Sequence, residues 1–447
     1  MTLGIILSIG SALAGLQGAS QENPMTMDEA VTIAERNAFA TRLQQTTVEK
    51  DRQAIAVALA NMSPTIGLNT LFNQAGQEVT ASFGQGTAPV VISPFNTVTT
   101  TAAFSLPIDI SGSTHRLWLA SRQTYEAARQ QLEESFNDAR LNARTAFLAV
   151  LRNRDLVRVA EENLKDAQGR LEQAQLEFQQ QQIAKIDVDR LDAQVAQAES
   201  GLTSAQNNLQ LSDNAFNLAL ARPIETPVNL VDVNDMPPIP ANADNLAKMA
   251  QQYRPDVRAL NSQIQALGNI RRAQEGTMEP SMTLGLNYQR NLNPTFLAGN
   301  PNSLNMTVAL SIPVFDSGAT RARVRSARQD EKAAHIQLEQ TQLGISQEVR
   351  NAITSMTSAS SSLKSAQRQV TLAEEVFRLA KVRQMAGEGT YVEVVDAESS
   401  LATARNLLVG AKYDYFLAFS QLQHAVGNDR VNEPAPGAKP LATGGKK

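Results

Sequence analysis

The residues best placed to do chemistry are acidic. Glu393 and Asp396 stand three apart in "GEGTYVEVVDAES" (residues 387–399), so they share one face of a helix. Carboxylates placed in this way and repeated around a narrow opening make a ring that favours cations. A second reading is open for the same pair: Thr390 and Glu393 form a capping box, and acids at a helix start favour its dipole. Other chemistry-bearing side chains are sparse. The three histidines, His115, His335 and His424, lie far apart on predicted helices, which suits solvated or packing roles better than catalysis or zinc binding. Met278 and Met282 read as apolar filler rather than as a copper site. Cysteine is absent, which excludes a thiolate metal site, a disulfide framework and a cysteine nucleophile. With no G-x-S-x-G, no H-E-x-x-H and no phosphate loop, the sequence implies no enzyme, no cofactor and no metal.

The elements that position these acids must be long. Only 5% of the 447 residues are aromatic, while Ala, Gln, Leu and Glu recur in runs that favour extended helices. A net charge of −4 offers no basic face for nucleic acid. Residues 1–20 read as a signal peptide, although no Lys or Arg precedes Arg36. No other segment has eighteen uncharged apolar residues, so a helical membrane span is excluded.

The chain is written twice. "TAAFSLPIDISG" (residues 101–112) aligns with "TVALSIPVFDSG" (residues 307–318) at an offset of 206 (313 − 107). Upstream, "SPTIGLNTLFNQ" from Ser63 aligns with "EPSMTLGLNYQR" from Glu279 at 216 (280 − 64). Downstream, "RLDAQ" from Arg190 aligns with "VVDAE" from Val394 at 204 (396 − 192). Each half reads helix, strand, loop, strand, very long helix, tight turn, helix. The expected organisation is a first repeat over 25–222, a connector over 223–242, a second repeat over 243–428, and a disordered tail over 429–447.

Within that order, Thr26 and Glu29 predict a capped helix that runs to Pro64, and its counterpart runs from about Asn242 to Gly276. Nothing but tolerable glycines interrupts Ser113 to about Gln180 or Ala319 to about Met385. At 1.5 Å per residue each would be a rod of roughly 100 Å. The helices that follow carry coiled-coil seams spaced 4,3,4,3, from Leu191 to Ala219 and from Ala397 to Leu422.

The strands alternate: Leu304, Met306, Val308, Leu310 and Ile312 are separated by Asn305, Thr307, Ala309 and Ser311. Such a pattern fits a soluble sheet with one wet face, or a membrane β-barrel strand between lipid and water. Four strands cannot close a barrel, and lipid tolerates no open edge, so the membrane reading requires several copies. Two copies give eight strands, filled by side chains; three give about twelve, which leaves a pore. Pro107 and Pro313 then stand where a strand stops donating ladder bonds, and the turns at Gly112 and Gly318 redirect the chain into the rods. Arg116, Arg122, Arg321, Arg323, Arg325 and Arg328 follow these junctions, either as a solvated helix face or near lipid headgroups.

From "MTMDEAVTIAERN" to "QLQHAVGN", through "LPIDISG", "IPVFDSG", "IAKIDVDRLDAQ" and "GEGTYVEVVDAES", the chain resembles the TolC-type outer-membrane efflux proteins. The resemblance implies a mainly α fold with four amphipathic β-strands per chain and long duplicated coiled-coil hairpins. It further implies a homotrimer with a twelve-stranded barrel in the outer membrane and a periplasmic helical tunnel. An inner-membrane pump and a periplasmic adaptor would open the closed tip. By the same resemblance, Glu393 and Asp396 line the tunnel entrance, and Asp187 matches the acid of the other hairpin, with Asp189 and Asp192 nearby. The tip turns, Lys185 and Gly387, Glu388 and Gly389, would meet the adaptor. Two departures stand out: "QQQIAKID" lacks the usual glycine, and Gly389 replaces an arginine that locks the closed tip in some members, so Lys185 is a candidate for that lock. The rival expectation is a periplasmic coiled-coil adaptor or structural protein without a pore.

Overall fold

A computed structural model of the chain describes residues 24–82, 84, 88–240, 242–293 and 300–427, so the expected signal peptide and tail lie outside it. The capping box at Thr26 is present: Thr26 N donates to Glu29 Oε2 at 2.8 Å, and Glu29 N donates to Thr26 Oγ1 at 3.3 Å. It starts α1 (Met27–Asn37), but the helix does not run unbroken to Pro64. Ala38, with ψ 133°, interrupts it, and α2 is Phe39–Ala60. The second repeat breaks in the same way, into α5 (Ala243–Tyr253) and α6 (Pro255–Glu275) at Arg254, where ψ is 136°. Pro255 forces that break, because the residue before a proline is pushed out of the α region. Ala38 and Arg254 are 216 apart (254 − 38), the offset of the neighbouring strands, so the bend is part of the duplicated unit.

The strands β1 (Thr65–Gln74), β4 (Asn96–Ile108), β5 (Ser281–Asn291) and β6 (Asn302–Ser311) form one antiparallel sheet in the order β1-β4-β5-β6. A short hairpin of β2 (Val79–Ala81) and β3 (Val90–Ser93) occupies the longer loop of the first repeat and was not anticipated. The central pairing, β4 with β5, joins the two repeats. Register aligns Ile66, Phe104, Leu286 and Met306 in one row across all four strands, with Leu68, Ala102, Tyr288 and Leu304 in the next such row. The alternate rows hold Gly67, Ala103, Asn287 and Asn305, then Asn69, Thr101, Gln289 and Ser303. Because side chains alternate between faces, one face is mostly apolar and the other mostly polar. The apolar face is uncovered at the edges: Ile66 is 82% exposed and Met306 70%. Pro107 lies beyond Ser105, where pairing with β1 ends, so its missing N–H costs no bond on that side.

The rods are α3 (Ser113–Gln179) and α7 (Ala319–Met385), 67 residues each, followed by α4 (Lys185–Ala219) and α8 (Tyr391–Val426). Left-handed residues recur at one offset: Gly112 and Gly318, Gln181 and Gly387, and Ala221 and Gly427 are each 206 apart. Among the described residues no helix is long and apolar enough to cross a membrane.

Two compact units arise, each drawing on both repeats. One comprises the chain up to Ala34, Asn142–Met236 and Ser365–Tyr413. Its seam is the expected one, with Leu191, Val195, Ser212, Phe216, Ala397, Leu401 and Ala404 buried, and Phe147 meets Phe216 edge-on at 6.0 Å. The connector is tied down within this unit: fully buried Asn217 donates to the carbonyls of Ile224 and Thr226, both at 2.8 Å. The other unit comprises Glu35–Leu141, Pro237–Lys364 and the chain from Asp414. It holds the four-stranded sheet and a core that includes Leu246, Ala250, Val257, Val349, Met356 and Leu422.

Glycine is needed for two different reasons at two of these turns. A Cβ on Gly427 (φ 69°) would sit 2.9 Å from Arg254 Cγ, whereas one on Gly112 (φ 68°) would meet nothing within 4 Å. Gly112→Ala is therefore expected to lower stability by ~1 kcal/mol through backbone strain alone, and Gly427→Ala by more. Thermal unfolding of the purified variants checks the order; equal losses would show that the contact with Arg254 carries no weight.

Candidate functional site at the hairpin tips

Both hairpins close with the same turn. Gln182 N donates to Glu177 O at 2.9 Å and Gln181 N to Phe178 O at 2.9 Å; Glu388 N donates to Arg383 O at 2.9 Å and Gly387 N to Gln384 O at 3.0 Å. This is the Schellman pattern, which places one residue in the left-handed region. Gly387 takes it at φ 76° without strain, whereas Gln181 takes it at φ 61°, at a cost of ~1 kcal/mol. The first tip thus keeps the turn of the second without its glycine. Gly389 is constrained differently, since a Cβ there would lie 3.1 Å from Gln384 N and 3.2 Å from Arg383 Cβ. The close packing of this segment on the end of α7 explains the small residue.

Side chains that the sequence did not single out organise the tips. Arg383 places Nη1 3.3 Å from Glu393 Oε2 and donates from Nη2 to Glu388 O at 3.1 Å. Glu393 is thereby tied to the end of its own hairpin, while its amide is capped by Thr390 Oγ1 at 3.3 Å. Tyr391 donates its hydroxyl to Glu177, and burial together with that carboxylate raises its pKa above the usual tyrosine value. Lower down, buried Glu398 pairs with Arg170 and accepts from Gln194 Nε2 at 2.9 Å. Burial raises the Glu398 pKa, and the Arg170 guanidinium opposes the rise. Gln194 and Glu398 are equivalent positions of the two repeats, 204 apart, so the duplicated helices touch through matching residues.

Of the acids expected at the entrance, Asp187 and Asp396 line one cavity of about 870 Å³, together with Tyr391 and Glu398. Asp187 also lines a second cavity of about 700 Å³ with Glu177, Gly387 and Tyr391. Glu393, Asp396, Asp189 and Lys185 are all exposed, and Asp187 is half-buried in the first turn of α4. Around the larger cavity, Asn, Gln and Ser side chains are interleaved with Ala, Leu and Val, so its wall mixes polar and apolar surface.

A separate charge network lies in the unit that carries the sheet. Buried Arg254 reaches Glu348 at 2.6 Å, Asp256 at 2.8 Å, Glu134 at 3.4 Å and the carbonyl of Ala425 at 3.2 Å. His424 Nε2 lies 2.9 Å from Asp138 and Nδ1 lies 3.5 Å from Glu348. The ligand atoms of Glu134, Asp138 and His424 come within 4.8 Å of one another, close enough for a metal ion. The charges argue otherwise, because Arg254, 3.4 Å from Glu134, already places a positive charge beside this cluster and would repel a dication. His424 is best described as an imidazolium in an ion-pair network, its pKa pushed up to about 9 by Asp138 and Glu348. Proline 255 marks the position of Arg254 in sequence, but nothing local in the sequence marks its partners.

A four-stranded antiparallel sheet joined to two long helical hairpins is a fold with solved counterparts. The chain matches the solved structure of CusC with a TM-score of 0.78 at 20% identity, covering 90% of this chain and 92% of that one. VceC from Vibrio cholerae gives 0.75 at 18% identity, covering 90% and 96%. In sequence, residues 246–428 match the family of outer membrane efflux proteins. TolC of Escherichia coli is 24% identical over 310 residues, 64% of this chain and 61% of TolC. Nodulation protein T of Rhizobium leguminosarum is 22% identical over 274 residues, 60% of this chain and 59% of that protein. The aligned region thus spans about three fifths of these two relatives, whereas the cobalt-zinc-cadmium resistance protein CzcC of Cupriavidus metallidurans is 24% identical across 94% of both chains. Residues 246–428 thus match the outer membrane efflux protein family, and the chain as a whole shares the fold of these solved channels.

The His424 network makes stability depend on pH. Because the folded chain raises the imidazole pKa from its ordinary value near 6.5 to about 9, this contribution is complete below pH 6.5 and is lost as pH rises through about 9. His424→Gln is expected to destabilise the protein by about 2–3 kcal/mol at pH 6, with the gap to wild type narrowing from pH 6.5 upward and largely closed above pH 9. Unfolding midpoints measured across pH 6–10 check this; a gap independent of pH would show that His424 acts by packing.

Proposed function

We propose that the chain is an outer-membrane exit duct, carrying small molecules or polypeptide out of the periplasm or the cell within a tripartite efflux or type I secretion assembly. The observation that carries this reading is the four-stranded sheet, whose rows run apolar on one face and polar on the other. Its outer strands, β1 and β6, have no further partner among the described residues. In lipid such edges must be closed by other copies, and three copies supply the twelve strands that leave an aqueous pore. The partners that follow are two further copies of the chain, outer-membrane lipid, a periplasmic adaptor at the tips and an inner-membrane pump that supplies the energy. Transport is by passage, with no chemistry in the duct and no cofactor.

At the tips, Glu393, Asp396, Asp187 and Asp189 would constrict the entrance and favour cations. Arg383 would moderate that field by holding Glu393 on its own chain. The adaptor reading is disfavoured by two tandem hairpins and strands of membrane length on one chain, together with the whole-length likeness to solved channels.

Single-channel conductance in planar bilayers tests both parts. Wild type is expected to give small, cation-selective currents, and Glu393→Gln combined with Asp396→Asn to enlarge them or abolish their selectivity. Pores that are indifferent to the double substitution would reduce the two acids to helix caps. Folded, membrane-inserted protein without conductance would overturn the duct.

A further inference from the structure

We propose that Arg321, Arg325 and Arg328 on α7, with Arg116 and Arg122 on α3, form a collar that binds the anionic headgroups of the phospholipid leaflet at the strand exits. This rests on the membrane reading of the sheet and goes beyond it by naming the lipid charge and the residues that select it.

The first argument is position. Beyond β6 the apolar row continues through Ile312 and Val314 and is joined by Phe315; Val314 and Phe315 are 88% and 83% exposed. Helix α7 begins a few residues later, at Ala319, and α3 begins five residues after β4, at Ser113. Both sets of arginines therefore follow the end of the apolar face by only a few turns of helix. A belt of apolar and aromatic residues followed by basic ones is the usual order at a membrane surface.

The second argument is a contrast between helices. Those that begin away from the sheet exits carry an acid in the first turn: Asp28 and Glu29 in α1, Asp187 in α4, Asp244 in α5, Asp256 in α6 and Glu393 in α8. Only α2, which resumes α1 after one residue, does not. The two rods that leave the sheet have no acid in the first turn, and their earliest charges are basic. Cations at the positive end of a helix are disfavoured unless something negative lies nearby. Local acids meet only part of that need. Asp316 accepts from Gly318 N at 3.0 Å and Thr320 N at 2.6 Å, Asp109 accepts from His115 N at 2.8 Å, and Asp316 also feels the charge of Arg323. These contacts cap amides and occupy Arg323, which is why Arg323 is left out of the collar.

The third argument is geometry on the rod. Residues 321, 325 and 328 follow i, i+4, i+7 and share a flank of α7, beside the buried line of Thr320 and Ala327. All three are exposed. Arg328 lies 3.4 Å from Glu275, which is already bonded to Arg271, while Arg321 and Arg325 form no ion pair among the described residues. On α3, Arg122 stacks over the chain's single tryptophan, Trp118, at 5.0 Å, an interfacial pairing of ring and cation.

The test uses the full-length protein reconstituted in mixed bilayers of phosphatidylcholine and phosphatidylglycerol. Spin-labelled lipids report which headgroup occupies the boundary layer. Wild type is expected to prefer phosphatidylglycerol by roughly three-fold, with the preference fading at high salt. Arg321→Gln with Arg325→Gln should bring the ratio close to one, and Arg321→Lys with Arg325→Lys should retain it. A wild-type ratio of one, or an equal preference in the glutamine variant, would overturn the collar and leave a solvated helix face. Conductance measured on the same samples separates the two readings: inserted, conducting protein without lipid preference removes the collar alone, whereas failure to insert removes the membrane reading beneath it.

Discussion

Backbone hydrogen bonding at the two outer strands governs this fold. A four-stranded sheet leaves one side of β1 and one side of β6 without ladder partners, and a chain reading apolar on one face of that sheet has nowhere in lipid to hide those amides and carbonyls. In the proposed assembly, closure by further copies would satisfy them and convert a weak sheet into a wall. The same demand explains the ends of the strands. Pro107 sits just beyond the last residue that pairs with β1, where a missing donor does no harm. The left-handed glycines Gly112 and Gly318 then turn the chain out of the sheet within a few residues.

Duplication is visible in backbone conformation more clearly than in residue identity. Three pairs of left-handed residues keep one offset, and the bends at Ala38 and Arg254 keep the offset of their neighbouring strands. Identity has drifted at these points. Glutamine holds a glycine's conformation at 181, and a buried arginine stands at 254 where the first repeat has alanine. Such drift is tolerated where the surrounding helices over-determine the backbone, since a strain of about 1 kcal/mol is small beside the burial of Phe147, Leu191 and Phe216.

Much of the architecture was legible because it depends on period and punctuation. The limits of α3 and α7 could be read from the junction glycines and the absence of breakers, and the buried seams from their 4,3,4,3 spacing. The apolar face of each strand followed from alternation, whereas the pairing register came from the structure. What escaped was set by tertiary contact. No residue near Ala38 announces a break, while Pro255 announces one that was overlooked. The hairpin of β2 and β3 lies in a loop with no strong alternation. At the tips, Glu393 and Asp396 could be proposed from their spacing and Asp187 from the family resemblance, but the side chains that contact them could not. Arg383 and Tyr391 act across a turn or between helices, and single-sequence patterns do not report such distances.

The β4–β5 pairing inside the chain is the same kind of junction that β6 would make with β1 of a neighbouring copy. Around the proposed ring, six nearly equivalent units would therefore meet at six similar seams, three covalently continuous and three not. Anything present in only one repeat is then displayed at every second unit. The Arg383–Glu393 tie, the arginine flank of α7 and the Arg254 network would each write a threefold alternation onto a wall that duplication alone would have made sixfold. A binding partner with threefold or paired sixfold symmetry could take its register from that alternation, reading the age of the duplication as a set of landmarks.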